Sequence, residues 1–339
     1  MQHGGNMAMD KNGTGRTRSP ETRMRGRAAC GRRIRLAALA GVAFLWTAAA
    51  SLAATTYALC VGINRYSLSG CSTLHGCVND ATYFRDNLVA RGSWIKSDTT
   101  LLTDSSATKT AVRNKMAYYA SKAKSGDTFV FMQSSHGGRS SGTSVYLCLY
   151  NATYWDTELA ADLAKFPSGT KVVVVVDACH SGGLFKGAKS KAAAPAFDLA
   201  DRVSALMDAT RQRRKARGEP VEKGLASSEI GWATAAEYNE YSLDGGYFDT
   251  DRWLSSYLAS GSIQGSVFAA SFLWSWWNGS CDTSSCGDGD GFADAYECGQ
   301  RAYATCTSTY LWGSSAFTPQ FRNTAVLRNW GVNALLPQR

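Results

Sequence analysis

Surplus charge is scarce in this sequence wherever a folded body could use it. The formal net charge is +9, but residues 1–35 hold nine of the Lys and Arg side chains (Lys11, Arg16, Arg18, Arg23, Arg25, Arg27, Arg32, Arg33 and Arg35) against Asp10 and Glu21. The rest of the chain carries 27 basic and 25 acidic groups, a balance of +2. That lacks the electrostatic footprint of a nucleic-acid binder, and no nucleic-acid partner is expected. Zinc spacing is lacking too. Cys281, Cys286, Cys298 and Cys306 stand as C-x4-C-x11-C-x7-C, poor spacing for a zinc site, and they lie close enough for two local disulfides. Charge is absent altogether from Leu36–Ala54, LAALAGVAFLWTAAASLAA.

A basic lead, an apolar run and small residues near Ser51-Leu52-Ala53 predict an export signal over residues 1–54, cleaved around Ala53 or Ala54, with Met24 as the expected start. The expected location is secreted or periplasmic. The alternative is an uncleaved N-terminal membrane anchor, since the run is just long enough to span a bilayer. Ten cysteines less Cys30 leave Cys60, Cys71, Cys77, Cys148, Cys179, Cys281, Cys286, Cys298 and Cys306. An odd number in an oxidising compartment leaves at least one thiol, and Cys179 is the natural candidate.

What is present is organised around KVVVVVDACHSGG, Lys171 to Gly183. Five consecutive β-branched residues predict a strand buried on both faces, as in a parallel sheet, and the run stops at Asp177-Ala178-Cys179. A second strand, DTFVFMQSSHGG, ends on His136 and two glycines. If the two are neighbours, a thiol and an imidazole meet at the carboxyl rim of one sheet, the minimal apparatus for cysteine nucleophilic catalysis. Around them, strands are predicted at 57–63, 100–103 and 230–234. Helices are predicted at 77–92, 107–124 and 155–166, then over GYFDTDRWLSSYLAS and SVFAASFLWSWW. This alternation implies βαβ units with helices on both faces. Residues 186–228 break the rhythm and read as a basic, low-complexity linker or insertion, with a basic-ended helix in its middle.

With HGG at one strand end, DACHSGG at the next and GCVNDA upstream, the chain resembles the caspase-like cysteine peptidases, closest to their bacterial metacaspase and orthocaspase branch. The resemblance is strong over residues 57–181 and weaker to about 303. It implies an α/β fold: a three-layer α/β/α sandwich around a mainly parallel sheet. A catalytic core would cover 55–185, and residues 229–339 would complete the domain. By position it implies Cys179 as nucleophile, His136 as its partner, and the backbone N–H groups of Gly137 and Cys179 as oxyanion donors. An acidic S1 pocket would form from Asp80, Asp177, Ser134 and Cys77 and accept Arg or Lys at P1. Two carboxylates in one small pocket repel each other until a cation enters, which is a physical reason for that preference. Cys77 has a rival use, a disulfide with Cys71. Protein or peptide substrates with a basic P1 residue are the implied partners. The alternative function is a catalytically silent caspase-fold interaction module.

No cofactor is required by this chemistry; calcium is the candidate ion. Where calcium-dependent metacaspases carry further acids, this chain keeps Asp156 but has Asn151 and Lys186. The late loop DGDGFADAYE offers Asp288, Asp290, Asp294 and Glu297 at oxygen-ligand spacing, with Gly291 at the turn and Cys286 in the first position. The competing reading is a helix N-terminus decorated with acids. Arg211, Arg213, Arg214, Lys215 and Arg217, ahead of Pro220, are basic enough to invite self-processing in the linker, unless they form a solvated helix end.

Overall fold

The five valines form the central strand. β7 (Lys171–Asp177) lies between β3 (Thr128–Ser134) and β8 (Ile230–Thr234), parallel to both. All five are buried, each contributing roughly 1.5–3 kcal/mol relative to exposure. Strand alternation divides them: Val172, Val174 and Val176 enter one core cluster, Val173 and Val175 the other. Beyond β3 come β1 (Thr56–Gly62) and the edge strand β2 (Thr99–Thr103), both parallel. At the other edge β10 (Gln320–Arg322) runs antiparallel to β8, completing the order β10-β8-β7-β3-β1-β2.

This computed structural model describes residues 54–90, 98–140, 144–178, 199–221, 224–236, 242, 265–282, 287–308, 317–328 and 334–335. Helices cover both faces of the sheet, so the α/β/α sandwich is the architecture. One face packs on α2 (Lys109–Lys122), α3 (Asp156–Leu163) and α4 (Leu199–Ala216), through Met116, Tyr119, Leu163, Val203 and their neighbours. The other packs on α1 (Cys77–Ala90), α5 (Val267–Asn278) and α6 (Ala295–Cys306), through Phe84, Phe272, Trp276 and Ala302. A short α7 (Thr324–Arg328) follows β10.

Two features add to the sequence expectations. The basic-ended helix expected within residues 186–228 is α4, which buries Leu199, Ala200, Val203 and Met207, and its basic end is tied down. Arg211 donates to the Gly224 carbonyl and Arg214 to that of Pro220. An apolar stripe at helical spacing outweighed a composition that reads as solvated. The second is a small antiparallel sheet of β4 (Gly137–Arg139), β5 (Val145–Cys148) and β6 (Thr153–Trp155), placed just after His136. A further two-stranded pair joins β9 (Phe292–Ala293) to β11 (Ala334–Leu335). The expected export signal or anchor up to residue 53, the helix expected over 246–260 and Lys186 lie outside the described residues. Among the described residues no helix is long and apolar enough to cross a membrane.

Candidate active site

Register places the rim. Gly62 pairs with Ser134, and Ser134 with Asp177, so β1, β3 and β7 end at one level. His136 follows Ser134 by two residues, and Cys179 follows Asp177 by two. Cys179 itself lies outside the described residues; Ala178, buried, is the last described residue on that strand end.

His136 is held from several sides. Its backbone N–H donates to the Tyr66 hydroxyl at 2.8 Å, and its carbonyl accepts from Cys148 N at 2.8 Å. The Tyr66 ring lies 5.2 Å from the imidazole centroid. Nε2 is 2.9 Å from the Ser72 carbonyl and 3.3 Å from the Ser72 hydroxyl. A carbonyl can only accept, so that bond puts the proton on Nε2 and the lone pair of the neutral ring on Nδ1. The Cys148–His136 bond makes 136/148 a hydrogen-bonded pair of the antiparallel ladder. Gly137/Leu147 is then the non-hydrogen-bonded pair, and the Gly137 N–H turns away from β5.

The two acids do come together, and both are buried. Ser134 Oγ donates to Asp80 Oδ2 at 2.7 Å. Ser266, immediately before α5, lies between the pair: its Oγ is 2.6 Å from Asp80 Oδ2 and 2.5 Å from Asp177 Oδ2. Its backbone N–H reaches Asp80 Oδ1 at 3.1 Å, while Ala269 N donates to Asp177 Oδ2 at 2.9 Å. Ser242 Oγ donates to Asp177 Oδ1. A hydroxyl carries one proton, so Ser266 can donate to only one carboxylate. The two contacts cannot both be donations from Ser266, and Asp80 is the carboxyl group placed to hold a proton. Burial, and then repulsion from Asp177, holds the Asp80 carboxyl well above the usual range. The N-terminus of α5 adds its positive dipole end.

Asp80 can reach this point because α1 packs tightly on the end of β1. A Cβ on Gly62 would sit 2.3 Å from the Cys77 carbonyl oxygen and 2.8 Å from the Ala81 Cβ. Cys77 is buried at the start of α1, one turn before Asp80. Sequence reasoning found Asp80, Ser134 and Asp177 but missed Ser266, Ser242, Ser72 and Tyr66. A serine just before an apolar helix is a cap signal, and that was the available hint for Ser266.

The late acidic loop divides. Asp294 caps α6: its Oδ1 accepts from Glu297 N at 2.7 Å, and Glu297 Oε2 accepts from Asp294 N at 3.0 Å. Glu297 Oε1 accepts from Asp288 N at 3.0 Å, and burial pushes the Glu297 carboxyl up to about 7. These two acids are engaged at a helix start, the competing use. Asp288 and Asp290 instead gather with Asp282, their carboxylate oxygens within 4.8 Å of one another. Asp282 Oδ1 is buried with no hydrogen-bond partner, while Oδ2 accepts from Gly291 N at 3.0 Å. Asp156 is committed to structure, accepting from Arg202 Nε, Val145 N and Thr157 N.

A sandwich with this rim is the architecture of caspase-like peptidases. The family model of the caspase domain (Peptidase_C14) matches residues 55–287, and the chain belongs to that family. Its curated relatives include Metacaspase-9 of Arabidopsis thaliana, 26% identical over 185 residues, covering 47% of this chain and 56% of that protein. Metacaspase-4 of the same plant is 31% identical over 155 residues, covering 40% of this chain and 36% of that protein. Metacaspase-1 of Schizosaccharomyces pombe is 27% identical over 145 residues, covering 37% and 34%. The chain thus spans about a third to just over half of the length of these metacaspases. Among solved structures, protein GSU0716 from Geobacter sulfurreducens shares the fold, with a TM-score of 0.51 at 21% identity over 81% of this chain and 97% of that one.

Proposed function

We propose that this chain is a cysteine endopeptidase that cuts protein or peptide substrates after Arg or Lys. The observation that carries the reading is the buried Asp80/Asp177 pair, bridged by Ser266, at the rim that also holds His136. In this scheme a P1 guanidinium or ammonium takes the place of the proton that the raised Asp80 holds and neutralises both carboxylates, with Ser134 and Cys77 lining the seat. The Cys179 thiolate attacks the scissile carbonyl carbon, and the backbone N–H groups of Gly137 and Cys179 receive the oxyanion. His136 passes a proton to the leaving amine. It then takes one from water as that water cleaves the thioester, regenerating the thiol and releasing the acid.

Two measurements test this. A fluorogenic library varied at P1 should be cut after Arg and Lys and refused with Asp. Cys179→Ala and His136→Ala should each lose hydrolysis while keeping the wild-type fold by circular dichroism. Preference for P1 Asp would overturn the pocket assignment. Undiminished turnover in Cys179→Ala would overturn the dyad, and a wild type inactive on every peptide would favour the silent interaction module. Export, with disulfides among the remaining cysteines, belongs to the same proposal, as does self-processing before α4.

Calcium is proposed as a stabilising ion at Asp282, Asp288 and Asp290, supported by the buried, unpartnered Asp282 Oδ1 and by the hard oxygen donors gathered there. Millimolar calcium should raise the thermal midpoint of the wild type but not of Asp288→Asn. Equal midpoints with calcium and with a chelator would remove the ion from the scheme.

A further inference from the structure

The cysteines outside the dyad are not scattered. The loop from Asn64 to Gly76 crosses the end of β5, where Ser67 N and Leu68 N both donate to the Tyr150 carbonyl, at 2.8 and 3.0 Å. A turn closed by Cys71 N and the Leu68 carbonyl then brings Cys71 beside Cys148, the last residue of β5; both carry thiols in the structure, and Cys148 is the neighbour that lowers the Cys71 thiol. Both cysteines are one step from the imidazole. Ser72, next to Cys71, takes the Nε2 bond, and Cys148 donates its own N–H to the His136 carbonyl. We propose that Cys71 and Cys148 form a disulfide that staples the Cys71–Ser72 loop to β5 and fixes His136 from both sides.

The chemistry balances with a disulfide as oxidant, either a low-molecular-weight one or that of a thiol oxidoreductase. The Cys71 thiolate attacks one oxidant sulfur and expels the other as a thiolate, giving a mixed disulfide. The Cys148 thiolate then attacks the Cys71 sulfur and expels the second oxidant thiolate. The pair loses two protons and two electrons, and the oxidant becomes two thiols. Cys71 suits the first step: it is partly exposed, and the Cys148 thiol beside it holds its own below the ordinary thiol range. Cys148, wholly buried, suits the second, which needs no access to solvent.

A second neighbouring pair gives the contrast. Cys281 and Cys298 influence each other too, but both are fully buried, and burial holds the Cys298 thiol well above its ordinary value. In the folded protein that pair is closed to a solvent oxidant and serves as an internal control.

The bridge stands apart from the peptidase reading; its effect on His136 rests on that reading, and the test separates the two. Folded full-length Cys179→Ala protein is treated with oxidised glutathione, alkylated, digested without reduction and mapped by mass spectrometry. A peptide linking Cys71 to Cys148 is expected, with Cys281 and Cys298 unlinked. Full alkylation of Cys71, or its linkage to Cys77, would overturn the bridge. In active protein, Cys179 is shielded during oxidation by a reversible peptide-aldehyde inhibitor that is then removed; reduced wild type and Cys71→Ser should share a kcat about tenfold below the oxidised enzyme, within the roughly hundredfold that an ångström of misplacement can cost. KM for an Arg peptide should stay unchanged, and with Cys179 shielded only the wild type should respond to glutathione. A linked peptide with identical kcat in both states would overturn the stapling role. A protein inactive in every state would overturn the peptidase reading, while the map still decides the bridge.

Discussion

Ser266 is the residue with most leverage on the acidic pair, because its one hydroxyl oxygen touches both carboxylates. Its replacement by Ala leaves them facing each other with one donor fewer. A lost hydrogen bond to a charged group is worth about 1.5–3 kcal/mol, so KM for an Arg peptide should rise roughly tenfold or more in Ser266→Ala, with P1 selectivity retained; an unchanged KM would remove Ser266 from the pocket. The pair's pH dependence has a definite sign. Asp80 is raised in the fold, so what it contributes to stability is present at low pH and is lost as pH rises through its folded value. Binding of a basic P1 residue runs the other way and should tighten as pH rises through that value. Asp80→Asn should therefore raise the thermal midpoint at pH 7 more than at pH 4 while abolishing cleavage after Arg. A lower midpoint at pH 7 would contradict this. The motifs made Asp80, Ser134 and Asp177 legible because each stands beside a diagnostic neighbour. Ser266 was not, since it lies 186 residues from Asp80 and 89 from Asp177, and only the fold brings them together.

Among the elements, α1 is seated by an absence, the missing side chain of Gly62. A methyl group there meets backbone at 2.3 Å, which no rotamer change can relieve. Gly62→Ala should cost ~1–3 kcal/mol of stability, as overpacking does, and should shift Asp80 enough to raise KM for basic peptides. Denaturant midpoints and steady-state kinetics check both halves; a variant as stable and as active as wild type would mean that α1 is not held there. Long elements were legible: the run of valines, the helix from Cys77 and the strand at Ile230–Thr234 all lie close to their sequence expectations. β4 to β6 were not. They are three or four residues each, too short for a period to register, and only their pairing makes them a sheet. Asp282 was hidden for another reason: it stands before Cys286, outside the loop that the acidic spacing defines.

For the molecule as a whole, the segment between β7 and β8 matters most, because it divides the chain between the two halves of the rim. His136 and Asp80 precede it, while Ser242 and Ser266 follow it. The segment's helix is bound on both sides. α4 packs beside α3, and Arg322 of β10 makes a two-pronged bond to Asp201 of α4, at 2.9 and 3.2 Å. Self-cleavage after Arg211 or Arg214 would have to unfold that helix first, whereas the basic residues Lys186, Lys189 and Lys191 come before it. A break anywhere from 186 to 198 would leave β8, α4 and β10 on the far side as one piece, still paired to β7 along the parallel register. The severed enzyme would then be a fragment-complementation system: two chains on a denaturing gel, one particle in gel filtration. Its activity per mole should not change on dilution, because the interface between the pieces is the middle of a hydrophobic core rather than a surface.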